Sequence, residues 1–147
     1  MKIQVKKKLP TALVPTRATE HSTGLDLYAA ETVTVRMTMT AVVDTGIQFD
    51  LMSTPPGMDV QVRPRSGLAA RHGLTVLNSP GTIDRDYTGT IKVILVNHGE
   101  HDYTIQTGER IAQVVFAHHF MSAKMEEVED MDVSTPRAEG GLGSTGK

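Results

Sequence analysis

An all-β fold is what this sequence predicts, and three observations predict it. Apolar and polar residues alternate in many short runs. Hard turn formers separate those runs at short intervals. One segment alone carries the end signals of a helix. That combination points to a sandwich or barrel with almost no helix. A chain of 147 residues fits one such domain and can bury a substantial core.

Met1, Ile3 and Val5 alternate with Lys2, Gln4 and Lys6 and predict an edge-type strand; Lys6-Lys7-Lys8 reads as solvation that discourages edge pairing. The stretch from Ala18 to Thr23 is loop chemistry. A short strand follows in which Asp26, between Leu25 and Leu27, faces away from both, so it is either solvated or lines a polar cleft. Val33, Val35, Met37 and Met39 alternate strictly with Thr32, Thr34, Arg36 and Thr38, predicting a half-buried strand whose Met row packs in the core. Val42–Phe49 predicts another strand, bulged or bent at Thr45-Gly46. Pro55-Pro56-Gly57 is a turn, and Met58, Val60 and Val62 alternate after it. Ser66–His72 predicts the one helix, capped by Ser66 and ended by Gly73. Further strands are expected at Ile91–Val96, Tyr103–Ile105 and Ile111–Phe116, with turns at His98-Gly99-Glu100 and Thr107-Gly108. With three Tyr, three Phe and no Trp, the core is expected to rest on Val, Ile, Leu and Met.

Charge and composition exclude several functions. A net charge of −2 supplies no bulk field toward nucleic acid or an anionic membrane. No apolar run approaches a membrane span, and Met1-Lys2-Ile3-Gln4-Val5 does not read as a signal peptide. Absence of cysteine rules out disulfides and thiolate metal sites and is compatible with a reducing compartment; a cytoplasmic location is expected. None of the six histidines falls at a metal-binding spacing on a well-defined element.

Two stretches carry candidate chemistry. From Asn78 to Lys92, Pro80-Gly81 is followed by Thr82, Ile83, the cluster Asp84-Arg85-Asp86, Tyr87 and Gly89. This order predicts a β-hairpin with a polar, aromatic-capped tip feeding a buried strand. Carboxylates at such a tip stay near water while the flanking strand holds them. Arg63-Pro64-Arg65-Ser66-Gly67-Leu68 places a guanidinium, a hydroxyl and a glycine amide at a helix start, a combination suited to an anion. The run Gly141–Lys147 formally fits P-loop spacing, but no strand leads into it.

Taken together these segments resemble the trimeric dUTPases (dUTP pyrophosphatases). Five family motifs appear in order. They are Ala18-Thr19 through Ser22-Thr23-Gly24-Leu25-Asp26-Leu27 to Ala29; Pro64-Arg65-Ser66-Gly67-Leu68; Asn78 through Tyr87 with Gly89; Gly108-Glu109-Arg110-Ile111-Ala112-Gln113; and Arg137-Ala138-Glu139-Gly140-Gly141-Leu142-Gly143-Ser144-Thr145-Gly146. The resemblance implies a jelly-roll-like distorted β-barrel over 1–133. A flexible glycine-rich arm over 134–147 would close over the site, in a homotrimer with shared active sites.

It also implies hydrolysis of dUTP to dUMP and pyrophosphate with Mg²⁺, which limits uracil in DNA and supplies dUMP for dTMP synthesis. Asp84 would be the general base for in-line attack of water on the α-phosphorus. Asn78, Gly81, Thr82 and Ile83 would pair with uracil, and a rigid backbone pocket rejects the thymine methyl better than an accommodating apolar one. Tyr87 would lie against the sugar. Arg65, Ser66 and Gly67 would hold phosphates, with Lys92 and Gln113 adding contacts. Mg²⁺ would be carried by phosphates and waters without a direct protein ligand, Asp26 standing in its water shell or bracing the site. Arg137, Leu142 and Gly143 would act from the arm. The family usually has Phe at the position of Leu142 and Gly at that of Ala138. The related dCTP deaminases carry a catalytic Glu on the strand after the hairpin, and Thr90–Val96 has none. A non-catalytic binding module would have no need for Asp84, Arg65 and Gln113 together.

Overall fold

The computed structural model describes residues 2–131, 133–136 and 138. Its strands form four antiparallel sheets around one core. β1 (Gln4–Lys7) pairs with β5 (Ile47–Asp50), and β3 (Val33–Val35) with β10 (Tyr103–Ile105). A four-stranded sheet runs in the order β2 (Leu25–Tyr28), β11 (Arg110–His118), β6 (Met58–Arg63), β8 (Gly81–Ile83). A three-stranded sheet has β9 (Lys92–Asn97) between β4 (Thr40–Asp44) and β7 (Leu74–Val76). The fold is therefore mostly β with one short helix, as expected; among the described residues no sheet closes on itself as a barrel.

Fully buried Leu27, Ile47, Leu74, Leu95, Ile105 and Ile111 join the four sheets in one cluster. Each such side chain contributes about 1.5–3 kcal/mol relative to exposure. Asn97 is buried among them with its polar atoms engaged. Its Nδ2 donates to Val35 O and His101 O, both at 2.9 Å, and its Oδ1 accepts from Gly99 N–H at 2.8 Å.

Four expectations are corrected. The alternating run from Val33 stops being a strand at Val35. Thr38 adopts φ 64°, Met39 N–H donates to Arg36 O, and the chain turns back into β4. Met37 and Met39 are consequently exposed, and the buried hydrophobic set contains Val, Ile, Leu, Ala and Phe49 but no Met. The stretch from Asn78 to Lys92 is not a hairpin: β8 pairs with β6, whereas β9 pairs with β4 and β7, so the intervening loop passes between sheets. Nor does Ser66 cap the helix α1 (Ser66–His72). Ser66 is its first helical residue, one position too late; Arg65 occupies the cap with an extended backbone and no side-chain cap bond. Gly73 does end it, left-handed at φ 64° with its N–H on Ala69 O. The strand expected at Val42–Phe49 breaks at Thr45-Gly46 into β4 and β5, as a bend there requires. β7, three residues long, lies below the length at which alternation is readable.

Candidate functional site

The four-stranded sheet assembles a cationic cluster. Across it, Asp26 faces Gln113 and Gln113 faces Arg63, and residues opposite one another share a face. Asp26 is only 13% exposed and is held between two guanidinium groups. Its Oδ1 accepts from Arg65 Nε at 3.0 Å and its Oδ2 from Arg110 Nη1 at 3.2 Å. Arg65 Nη1 also donates to Arg110 O at 3.0 Å. The Arg65 side chain is thereby fixed where the chain enters α1, next to exposed Ser66 and to Gly67. Gln113 Nε2 donates to Pro64 O at 2.9 Å, and its Oε1 turns toward Gly24. A Cβ on Gly24 would sit 2.1 Å from that oxygen, so the close approach depends on glycine.

A second group forms around β8. This strand is the outer one of its sheet, and Gly81–Ile83 has no ladder partner on its far edge among the described residues. Asn78 lies beside it, since a Cβ on Gly81 would be 3.1 Å from Asn78 Nδ2. A cavity of about 160 Å³ opens here, lined by Thr82, Ile83, Asp84, Tyr87, Ile91 and Lys92. Asp84 is exposed, and among the described residues its carboxylate has no hydrogen-bond or ion-pair partner. The Tyr87 ring lies over Gly89, where a Cβ would meet Tyr87 Cζ at 2.5 Å, and its hydroxyl donates to Thr90 O at 2.9 Å. Thr90 in turn donates to Asp44 Oδ2 at 2.9 Å.

The two groups stand apart. Ile83 lies opposite Val60, and Arg65 comes five residues after Val60 along β6 and its continuation. At the strand rise that is roughly 17 Å, and Asp84 lies beyond Ile83 in the opposite direction. Thus the structure brings Asn78, Gly81, Thr82, Ile83, Asp84, Tyr87 and Lys92 together, and separately Asp26, Arg65, Ser66, Gly67 and Gln113. Arg137, Leu142 and Gly143 lie outside the described residues. Sequence reasoning missed Arg110, although it stands inside the fourth motif, because nothing in its spacing announces a second arginine on Asp26.

Away from these groups, Tyr103 donates to Glu109 Oε1 at 2.6 Å. Burial, then the bond to Glu109, pushes its phenol up to about 12. No three His, Asp or Glu side chains gather into a cation cage among the described residues. Mg²⁺ is usually held by one or two carboxylates together with waters and phosphate oxygens, and Asp26 is the carboxylate beside the braced Arg65.

Among the described residues, the outer edge of β8 stands beside a carboxylate without a partner, and a guanidinium braced by Asp26 stands elsewhere on the same sheet of this mostly β protein. Comparison with known proteins gives the family. The dUTPase family profile matches residues 11–146. A deoxyuridine 5'-triphosphate nucleotidohydrolase of Nautilia profundicola is 46% identical over 147 residues, covering 100% of both chains. One from Helicobacter pylori strain P12 is 47% identical over 146 residues, covering 99% of this chain and 97% of the other. Among solved structures, a Staphylococcus bacteriophage 80alpha dUTPase with dUPNHPP superposes with a TM-score of 0.88 at 26% identity, covering 99% of each chain. A mutant dUTPase of phage phi11, described with a structural Mg(II) ion, shares the fold at TM-score 0.79 and 22% identity, covering 90% of this chain and 100% of that one. The chain belongs to the dUTPase family.

Proposed function

We propose that the protein is a dUTP diphosphatase that converts dUTP and water to dUMP and pyrophosphate at sites shared between the subunits of a homotrimer. The edge of β8 next to Asp84, which has no ladder partner among the described residues, carries this reading. An extended backbone with free N–H and C=O groups can imitate a base-pairing partner, and Asn78 supplies an amide at one end. Uracil pairs with Asn78 and Gly81–Ile83. The ring of Tyr87 lies against the deoxyribose and leaves no room for a 2′-hydroxyl. Asp84 takes a proton from water as its oxygen attacks the α-phosphorus; the bond to the β-phosphate bridging oxygen breaks, and pyrophosphate leaves.

Arg65, Ser66 and Gly67 bind the phosphates of a substrate whose base lies in a neighbouring copy, with Lys92 and Gln113 adding contacts. Asp26, with each oxygen engaged by an arginine, orients Arg65. Mg²⁺, when bound, would supply charge neutralisation to the phosphates that Arg65, Ser66 and Gly67 hold. The segment 134–147, with Arg137, Leu142 and Gly143, closes over the nucleotide and excludes water.

Two features support the assembly. The groups carrying Asp84 and Arg65 are separated within one protomer. Large apolar side chains are also left exposed, including Val42 on the three-stranded sheet, Leu77 just after β7, and Phe120, Met125 and Met131 after β11. Exposed apolar surface marks interfaces where it is contiguous. No helix among the described residues is long and apolar enough to cross a membrane. In the cell the reaction limits uracil incorporation into DNA and supplies dUMP, acting in the cytoplasm.

The test is pyrophosphate release from each deoxynucleoside triphosphate and from UTP, with and without Mg²⁺. Release from dUTP alone, dependent on Mg²⁺, is expected. Ammonia from dCTP, or no turnover of any nucleotide, would reject the reading.

A further inference from the structure

The loop between β8 and β9 carries both Asp84 and Tyr87. A cleft of about 280 Å³ adjoins it, bounded by Val5, Phe49, Leu51, Met52, Arg85 and Tyr87 among others. Around Asp84 the loop's own hydrogen bonds are local: Tyr87 N–H to Asp84 O, and the Tyr87 hydroxyl to Thr90 O. Its far end is tied to other strands, Thr90 to Asp44 and Ile91 to Thr45 and Ile47. Nearer Asp84, one side chain reaches across. Half-buried Arg85 donates from Nη2 to Met52 O at 2.9 Å and to Thr54 O at 2.6 Å.

The receiving turn is well fixed. Thr54 is 5% exposed, and its N–H and hydroxyl both donate to Leu51 O, at 3.2 and 2.6 Å. Ser53 N–H donates to Asp50 Oδ1 at 3.2 Å.

We propose, on the nucleotide-site reading above, that Arg85 is a positioning residue that clamps the loop to the turn at Met52–Thr54 and so sets Asp84 and Tyr87 together. Arg85 follows Asp84 directly and stands two residues before Tyr87. A loop released beside this cleft would carry the base and the ring with it. The Thr90 bond to Asp44 secures only the far end. Loss of the clamp therefore affects water activation and the fit around the sugar at once.

The test compares Arg85→Met, which keeps the apolar stem but has no donors, with Arg85→Lys, which keeps them. Asp84→Asn is measured in parallel. In Arg85→Met, kcat for dUTP should fall about 10- to 100-fold, the loss expected from a misplaced reacting group. The dUTP-over-UTP ratio of kcat/KM should narrow, while oligomeric state and Tm stay near wild type. Arg85→Lys should recover a large part of both. Wild-type kcat and selectivity in Arg85→Met, with Asp84→Asn inactive, would overturn the clamp and leave the site reading standing. Equal losses in the Met and Lys variants would overturn the assignment to hydrogen bonding. An active Asp84→Asn would overturn the site reading and the clamp with it.

Discussion

Gln113 Oε1 occupies the space that a side chain on Gly24 would enter, 2.1 Å from where its Cβ would stand. The two residues belong to different motifs, and the steric relation joins them into one cluster. Gly24→Ala should push Gln113 out of its present rotamer and off Pro64 O. The clash is with the flexible end of a side chain, so the fold should hold and Tm should change little. Activity should fall by about tenfold or more, since displacement of a contacting group by an ångström is enough. Steady-state kinetics beside a thermal melt checks this; unchanged kcat/KM would remove Gln113 from the substrate contacts.

Asp84→Asn keeps the shape of the side chain and removes the proton acceptor. Removal of a general base costs about 10²–10⁴ in rate. The variant should therefore bind a non-hydrolysable dUTP analogue about as well as wild type while losing turnover to that extent. Calorimetric binding with single-turnover kinetics separates the two effects, and more than about a tenth of wild-type activity would exclude Asp84 as the base.

Tyr103 gives an alkaline prediction. Its folded pKa is raised from 10.0 to about 12, chiefly by burial and then by Glu109. The folded state thus favours the protonated phenol. The associated stability is fully present below pH 10 and is lost as pH rises through about 12. Tyr103→Phe retains a ring against His72, whose centroid lies 4.7 Å away, but has no proton to lose. Denaturant melts from pH 9 to 12 should show wild type losing stability faster than Tyr103→Phe across that window. Parallel curves would mean that the phenol does not titrate on unfolding.

The legible parts of this structure were those written locally. Alternation marked β6, runs between turns marked Tyr103–Ile105 and Ile111–Phe116, and Ser66–His72 with Gly73 marked the helix within its observed bounds. What local pattern does not encode is the partner. Gly81–Ile83 and Lys92–Asn97 are close in sequence, but their hydrogen bonds go to different sheets. The Met row failed because Thr38 turns the chain without Gly or Pro, so alternation continues in the letters after the strand has ended. Asp84, Arg65 and Gln113 could be singled out by chemistry and motif. Arg110 and Arg85 could not, because their roles lie in contacts with Asp26 and with the carbonyls of Met52 and Thr54.

The separation of Asp84 from Arg65 leads to a prediction about mixtures. Within one protomer, Ile83 and Arg65 are five strand positions apart along β6 and its continuation, roughly 17 Å. If one chain supplies Asp84 and its neighbour supplies Arg65, then Asp84→Asn and Arg65→Ala trimers are each inactive. A mixed trimer need not be. Wherever an Arg65→Ala chain presents its intact Asp84 to the intact Arg65 of an Asp84→Asn chain, a complete site forms. Random assembly of equal amounts satisfies that condition at about a quarter of the sites in a closed ring with head-to-tail contacts. Co-expression of the two variants, with differently tagged chains to isolate mixed trimers, leaves one complete site in every three and should restore pyrophosphate release toward about a third of wild type. Arg65 is held by Asp26 and by Arg110 O within its own chain, so Arg65→Ala leaves the β8 loop untouched and the comparison is fair. No recovery in confirmed mixed trimers would mean that both residues serve one site from a single chain. The substrate would then have to span the sheet within a protomer, and the shared-site assignment would fall while membership of the family remained.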